Sequence, residues 1–252
     1  SNRVADVDGA AAAERAIRKA ELSAKPVAIE PGKYTVILEP VAVADLVTFM
    51  GFFFDHRQAD EGRSFLSKKG GGNRKGEKLF GDQITLYTDP AYPASPGAPF
   101  SNNGLPTKRM DFVKNGVVTN LMTGRYWAQK LGVEPVPFPS NFIMEGGTTS
   151  VDEMIATTDR GVLVTRLWYI RLVDPQTVLL TGLTRDGTFL IEKGKIKHAI
   201  KNFRFNESPA IMLNFVQAMS PPVRVSGSNG PSAVVPAIKV DNFTFTSLSD
   251  AV

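Results

Sequence analysis

Apolar and polar positions alternate most regularly between residues 165 and 208. Three apolar runs there, at 167–173, 178–183 and 188–191, are separated by short polar breaks, which predicts a β-meander. Arg185-Asp186-Gly187-Thr188 contains an Asp-Gly pair, which favours the positive φ of a tight hairpin turn. Glu192-Lys193-Gly194-Lys195 makes a second glycine turn. The same reading predicts strands at 34–38, 83–88, 141–145, 195–200, 223–225, 234–240 and 243–245. A hairpin is expected over 110–121, turning at Lys114-Asn115-Gly116.

Helices interrupt the strands. Asp8 is placed to cap one over 9–22, and Pro40 opens another over 41–54 that is apolar almost all round and so reads as buried. A short helix is expected at 124–130. Ser150 and Glu153 form a capping box for one ending near Thr157, and Ser208-Pro209 opens one expected to reach Met219. Residues 55–66 read as a charged loop or last helical turn, and 68–78 (KKGGGNRKGEK) as a basic, glycine-rich loop. Residues 89–107 and 134–140 are loops dense in proline and polar residues. Strands dominate, so the fold class is α+β: strand-rich mixed and antiparallel sheets with a few inserted helices.

Composition narrows the function classes. The 252 residues are 42% hydrophobic, enough for a substantial core. No apolar run approaches the ~20 residues of a membrane helix. There is no cysteine, which removes disulfides, thiolate metal sites and cysteine nucleophiles and suits a cytoplasmic setting. The net charge of +4 is dispersed and does not by itself point to nucleic acid. Ser1-Asn2 reads as an added scar, and the abrupt helical start as the mark of a fragment.

The catalytic motifs mostly fail. The two histidines, His56 and His198, are far apart and neither is followed by glutamate, so no zinc-protease helix is present. His56 beside Asp55, Asp60 and Glu61 reads as a solvated turn, and His198 as an edge-strand residue. Ser226-Gly227-Ser228-Asn229-Gly230 lacks the spacing of a nucleophile elbow. Gly71 and Gly76 have Walker-loop spacing, but Glu77-Lys78 stands where Lys-Ser/Thr is required. The amides of Gly70–Gly72 could form an anion nest among Lys68, Lys69, Arg74 and Lys75, although a loose basic loop fits as well. Asp152 and Glu153 are adjacent in a first helical turn, where they offset the helix dipole.

Several separated motifs nevertheless occur in one family order. They are Gly62-Arg63-Ser64-Phe65, Asn141-Phe142-Ile143-Met144-Glu145-Gly146-Gly147, Leu167-Trp168-Tyr169-Ile170-Arg171, Asp174-Pro175, Thr181-Gly182-Leu183-Thr184-Arg185-Asp186-Gly187, Asn202-Phe203-Arg204-Phe205-Asn206-Glu207-Ser208 and Val235-Pro236-Ala237-Ile238-Lys239-Val240. Together they resemble the C-terminal half of the TldD/PmbA family, whose members are described as peptidases and as modulators of DNA gyrase. The resemblance implies a barrel-like fold that associates with a partner subunit. It also implies a preceding helix–strand region over 1–38, a family C-terminal domain over 39–252, and an α/β N-terminal half that is not present here. TldD-type chains carry His-Glu-x-x-x-His and a downstream cysteine as metal ligands; PmbA-type (TldE) chains lack them and pair with TldD. The helix at 41–54 stands where that metal helix would be, with Met50, Phe52, Phe53 and Phe54 instead of ligands.

The expectation is therefore a PmbA-like component, with no cofactor of its own and zinc only through a partner subunit. It would enclose and bind unfolded peptide, as a homo- or hetero-oligomer with a TldD-type chain. Peptide would add as a strand at the segment before Gly146-Gly147 or at the meander, with Asn141, Gly147, Trp168 and Arg185 as contacts. A non-catalytic peptide-binding or scaffold protein is the alternative, with nucleic-acid binding through 68–78 a distant third.

Overall fold

The computed structural model describes residues 4, 7–226 and 231–249; Ser1-Asn2 and all but the first residue of the Ser226–Gly230 stretch lie outside them. The elements run α1 (Gly9–Leu22), β1 (Lys33–Leu38), α2 (Pro40–Gly51), α3 (His56–Asp60), β2 (Leu86–Thr88), β3 (Met110–Lys114), β4 (Val117–Val118), α4 (Arg125–Leu131), β5 (Phe142–Met144) and α5 (Val151–Ala156). They continue β6 (Arg160–Asp174), β7 (Leu179–Glu192), β8 (Lys195–Ala199), β9 (Phe203–Glu207), α6 (Pro209–Met212), β10 (Val216–Met219), β11 (Val223–Val225), β12 (Ala233–Val235) and β13 (Ile238–Leu248).

Five strands close into a barrel in the order β1-β6-β7-β9-β13, because β13 pairs with β1 as well as with β9. β8 extends β7 and β10 extends β13 as flaps on this barrel. Period-two patterning fills the interior: Phe203 and Phe205 on β9 face inward with Phe243 and Phe245 on β13, all buried. A second, six-stranded sheet runs β11-β12-β5-β2-β3-β4. α2 packs against strands of both sheets and is buried on nearly every face, Asp45 included. Its last residue must be glycine, since a Cβ on Gly51 would lie 2.3 Å from the Phe142 ring.

Most local signals act as read. Asp8 accepts from Ala11 N, Ser150 and Glu153 form the capping box, and Ser208 accepts from Ile211 N. Asn115 and Gly116 adopt φ of 48° and 79° in the β3–β4 turn, and Lys193 and Gly194 adopt 51° and 74° in the β7–β8 turn.

Three expectations are corrected. Asp186-Gly187 is not a hairpin turn: β7 runs through it, and Val164 pairs with Thr188 while Arg166 pairs with Arg185, so Thr165 faces two residues. The pair's positive φ values, 59° and 120°, serve a β-bulge, which needs the same backbone as a turn. The chain reverses instead at residues 175–178, where Val178 has φ 50°. α6 stops at Met212, because residues 216–219 pair with the start of β13 rather than extending the helix. The strand read over 234–240 breaks at Pro236, which has no N–H to donate, and Ala237 N turns to the Ser220 hydroxyl at 2.9 Å. β1 is hydrogen-bonded on both edges, to β6 and to β13. No helix among the described residues is long and apolar enough to cross a membrane.

One barrel residue couples stability to pH. Glu207 accepts from Ser208 N and Thr244 N, each at 3.0 Å, and burial pushes its carboxyl above the ordinary range. A raised folded-state pKa contributes stability below the ordinary glutamate pKa, and that contribution is lost as pH rises through the raised value. Glu207→Gln should therefore be less stable than the wild type, by a margin that is largest below the ordinary glutamate range and shrinks as pH rises above it. Paired thermal melts would check this, and a margin that is constant or widens with pH would refute it.

Candidate functional site

The structure brings two of the four expected contact residues together. Trp168 on β6 is 38% exposed, and the guanidinium carbons of Arg185 and Arg166 lie 5.0 and 5.5 Å from its ring centroid. The bulge aims Asp186 at the same cluster: its carboxylate accepts from Arg166 Nη1 at 3.1 Å and lies 3.7 Å from Arg185 Nε. A second register shift follows Trp168, where Tyr169 takes φ 55° and its exposed ring carries Arg171 at 4.1 Å. The result is an exposed aromatic and cationic surface on the β6–β7 ribbon. Beside it a cleft of about 720 Å³ opens between α1 and the barrel, with Arg185, Asp186, Lys19 and Asn202 on its walls. No side chain of α1 is buried; Lys19 ties it down through Glu39 and Thr165 Oγ1, the latter at 2.9 Å.

Asn141 and Gly147 lie elsewhere, and their groups are engaged within the chain. Asn141 is fully buried at the start of β5. Its Oδ1 accepts from Thr88 Oγ1 and Asp89 N, at 2.9 and 3.0 Å, and its Nδ2 donates to Asp89 O and Ser95 O, at 2.7 and 2.6 Å. It therefore fastens the long loop after β2 to the second sheet. Gly147 N donates to Ser220 O at 3.0 Å, and a Cβ there would lie 2.5 Å from Met219 O. Its role in this structure is to let the segment after β10 pass close by.

Strand addition at the segment before Gly146-Gly147 is corrected by the pairing, since β5 has β12 on one side and β2 on the other. The meander strands β6, β7 and β9 are likewise closed into the barrel. Among the described strands, β11 keeps a side without a strand partner, and β8 does so short of Ala199, whose carbonyl accepts from Val27 N at 3.0 Å. The outer sides of β4 and β10 are covered by backbone hydrogen bonds from residues 76–77 and from Thr149.

His56 and Asp60 are not a solvated turn. Asp60 accepts the Trp127 indole N–H at 2.9 Å and the Asn73 amide at 2.7 Å, with His56 Nε2 at 3.5 Å. His56 Nδ1 lies 2.9 Å from Thr123 Oγ1. This knot ties α3, α4 and the glycine-rich loop together. The four-residue spacing of His56 and Asp60 was its one local signal. Neither the knot nor α2 offers a metal site: Asp60's oxygens are engaged, and no three His, Cys, Asp or Glu side chains converge among the described residues. The glycine-rich loop is also less cationic than its sequence suggests. Glu77 pairs with Lys68 and Arg74, and Asp82 pairs with Lys78. Within the loop, Gly71 N is committed to Lys68 O.

A closed five-stranded barrel joined through a buried helix to a second sheet defines the class of domain. Residues 31–247 match the PmbA/TldA metallopeptidase C-terminal domain, and the chain belongs to the TldD/PmbA family. It is 25% identical over 149 residues to the metalloprotease PmbA homolog of Buchnera aphidicola subsp. Acyrthosiphon pisum, covering 57% of this chain and 32% of that protein. It is 25% identical over 131 residues to metalloprotease PmbA of Escherichia coli O157:H7, covering 50% of this chain and 28% of that one. Its fold is similar to that of TldE from Thermococcus kodakarensis, with a TM-score of 0.82 at 23% identity, over 96% of this chain and 56% of that structure. The chain thus spans about a third of the curated relatives and about half of the solved one.

Proposed function

We propose that this chain is a PmbA-type component of a TldD/PmbA peptidase system, which binds unfolded peptide and carries no metal of its own. The observation that supports this most is α2: the helix in the place of the metal helix is buried in the core through apolar side chains. Relatives named metalloprotease PmbA and a structural neighbour named TldE support the peptidase-system part of the reading. In it, a TldD-type chain supplies the metal, and both work in the cytoplasm. Trp168 and Arg185 contact the peptide, while Asn141 and Gly147 hold the second sheet and its loops in place. A peptide adding as a strand would use the open side of β11, or of β8 short of Ala199.

The test is peptide hydrolysis by the purified chain alone and mixed with a TldD-type chain. Cleavage is expected only in the mixture, and chelation should abolish it. Hydrolysis by this chain alone, or stoichiometric zinc in it, would overturn the assignment. No cleavage in any mixture, with peptide binding retained, would favour the scaffold alternative. Affinity for nucleic acid that falls steeply with salt and vanishes when residues 68–78 are deleted would favour the third reading.

A further inference from the structure

Away from the Trp168 surface, two proline-rich loops and the end of α2 enclose a hollow of about 580 Å³. That volume falls in the range of sites for small organic groups, roughly 300–1,000 Å³. Three phenylalanines converge on it: Phe52 is 40% exposed, Phe138 is 39% and Phe100 is 63%. Phe52 and Phe138 stack with centroids 5.4 Å apart and planes at 27°. Aromatic side chains left open together in one concavity lose the hydrophobic gain of burial until something covers them.

The walls are already in place. Phe52 caps the C-terminus of α2 and meets Phe49 edge to face at 6.5 Å. Phe138 lies between Pro137 and Pro139, and its loop is anchored by paired hydrogen bonds of 2.9 Å between Thr123 and Val136. Phe100 is held where Thr107 N donates to Pro99 O at 2.9 Å and Ser101 N to Leu105 O at 2.8 Å. Asn141 fastens the start of the same loop through Asp89 and Ser95. A preformed aromatic wall lowers the ordering cost of binding.

The lining also selects. None of the described residues lining the hollow is ionisable; the Arg125 guanidinium reaches its edge and donates from Nη2 to Asn103 O at 3.2 Å. A charged group entering it would lose water and find only the Arg125 guanidinium at its edge, already bonded to Asn103 O, whereas an aromatic ring would gain both burial and ring contacts. Asn102 at the hollow offers a partner for amide groups, while the Ser101 hydroxyl and Asn103 Oδ1 are bonded to each other.

We infer that this hollow is a specificity pocket for one large, uncharged, preferably aromatic side chain of the bound peptide. The inference rests on the peptide-binding reading above and adds a substrate class to it. Phe52 and Phe138 form one wall and Phe100 closes over the ring.

The test is calorimetric titration of the whole chain with N-acetyl-phenylalaninamide, N-acetyl-aspartamide and the capped tripeptides Gly-Phe-Gly and Gly-Asp-Gly. The phenylalanine compounds are expected to bind at least about tenfold more tightly than their aspartate counterparts. Phe100→Ala and Phe138→Ala should remove most of that preference. Phe100 is mostly exposed, so its variant should melt as the wild type does, which separates loss of the pocket from loss of the fold. Equal affinity for both tripeptides, unchanged in Phe100→Ala, would overturn the pocket and leave peptide binding standing. Tight phenylalaninamide binding that Phe100→Ala weakens, with no tripeptide bound, would support the pocket and sink the peptide reading. A dimer in sedimentation that Phe100→Ala dissociates would make the hollow the seat of a second copy, and would overturn the inference too.

Discussion

Replacing Asn141 with alanine is expected to lower the unfolding free energy by about 4 kcal/mol, at roughly 1 kcal/mol for each of its hydrogen bonds. Its amide makes four such bonds, to Thr88, Asp89 twice and Ser95, with no exposure to solvent. Alanine would leave Thr88 Oγ1, Asp89 N, Asp89 O and Ser95 O without this partner. The loss should also be local, because three of these groups belong to the start of the loop that carries Phe100. Asn141→Asp is the sharper variant: it keeps the acceptor but turns a carboxylate oxygen towards two carbonyls that now receive a donor. Urea unfolding measures the first effect and limited proteolysis within residues 89–107 the second. A loss below about 1 kcal/mol in both variants would mean that water replaces the amide and that the loop is held by other contacts.

Asn141 also shows where sequence reading stops. The residue drew attention as a peptide contact because it opens a family motif, yet its polar groups are turned inward. What decides its role is the loop of residues 89–107 folding back over β5, and no local pattern reports that return. Caps behave differently. Asp8, Ser150 and Ser208 act within three residues of themselves, so sequence and structure agree on them. Asp186-Gly187 lies between these cases. Positive φ was legible, but whether it makes a turn or a bulge depends on the pairing of β6 with β7. That pairing also governs the site: a turn at this point would end the ribbon, whereas the bulge keeps Arg185 opposite Arg166 and so beside Trp168. The same logic made β10 unreadable, since residues 216–219 are a strand only because β13 offers them an edge. Barrel closure came from the family resemblance, and periodicity alone stopped at a meander. The hollow of Phe52, Phe100 and Phe138 had no sequence signal, because its rings come from three distant segments.

The closure itself should be the most sensitive point in the core. Phe245 sits where β13 pairs with β9 after leaving β1, and its N–H donates to Gly32 O at 2.9 Å. Its ring is 2% exposed, stacks on Phe203 with centroids 4.7 Å apart, and meets Phe243 at 5.1 Å and Tyr34 at 6.1 Å. Phe245→Ala removes a fully packed aromatic from a barrel whose hydrogen-bonded circuit limits collapse around the void. The expected cost is about 3–5 kcal/mol, at the level of buried Phe→Ala changes generally. Phe245→Leu, which preserves more of the volume, should cost clearly less. Phe203→Ala combined with Phe245→Ala should cost less than the sum of the two, because both remove the same stacked contact. Denaturant melts of these four variants beside Phe100→Ala would check this. Phe100 is also a phenylalanine but mostly exposed. If Phe245→Ala shifted the midpoint no further than Phe100→Ala, the barrel would not be closed through β13, and the pairing of β1 with β13 would be the part of the fold to abandon.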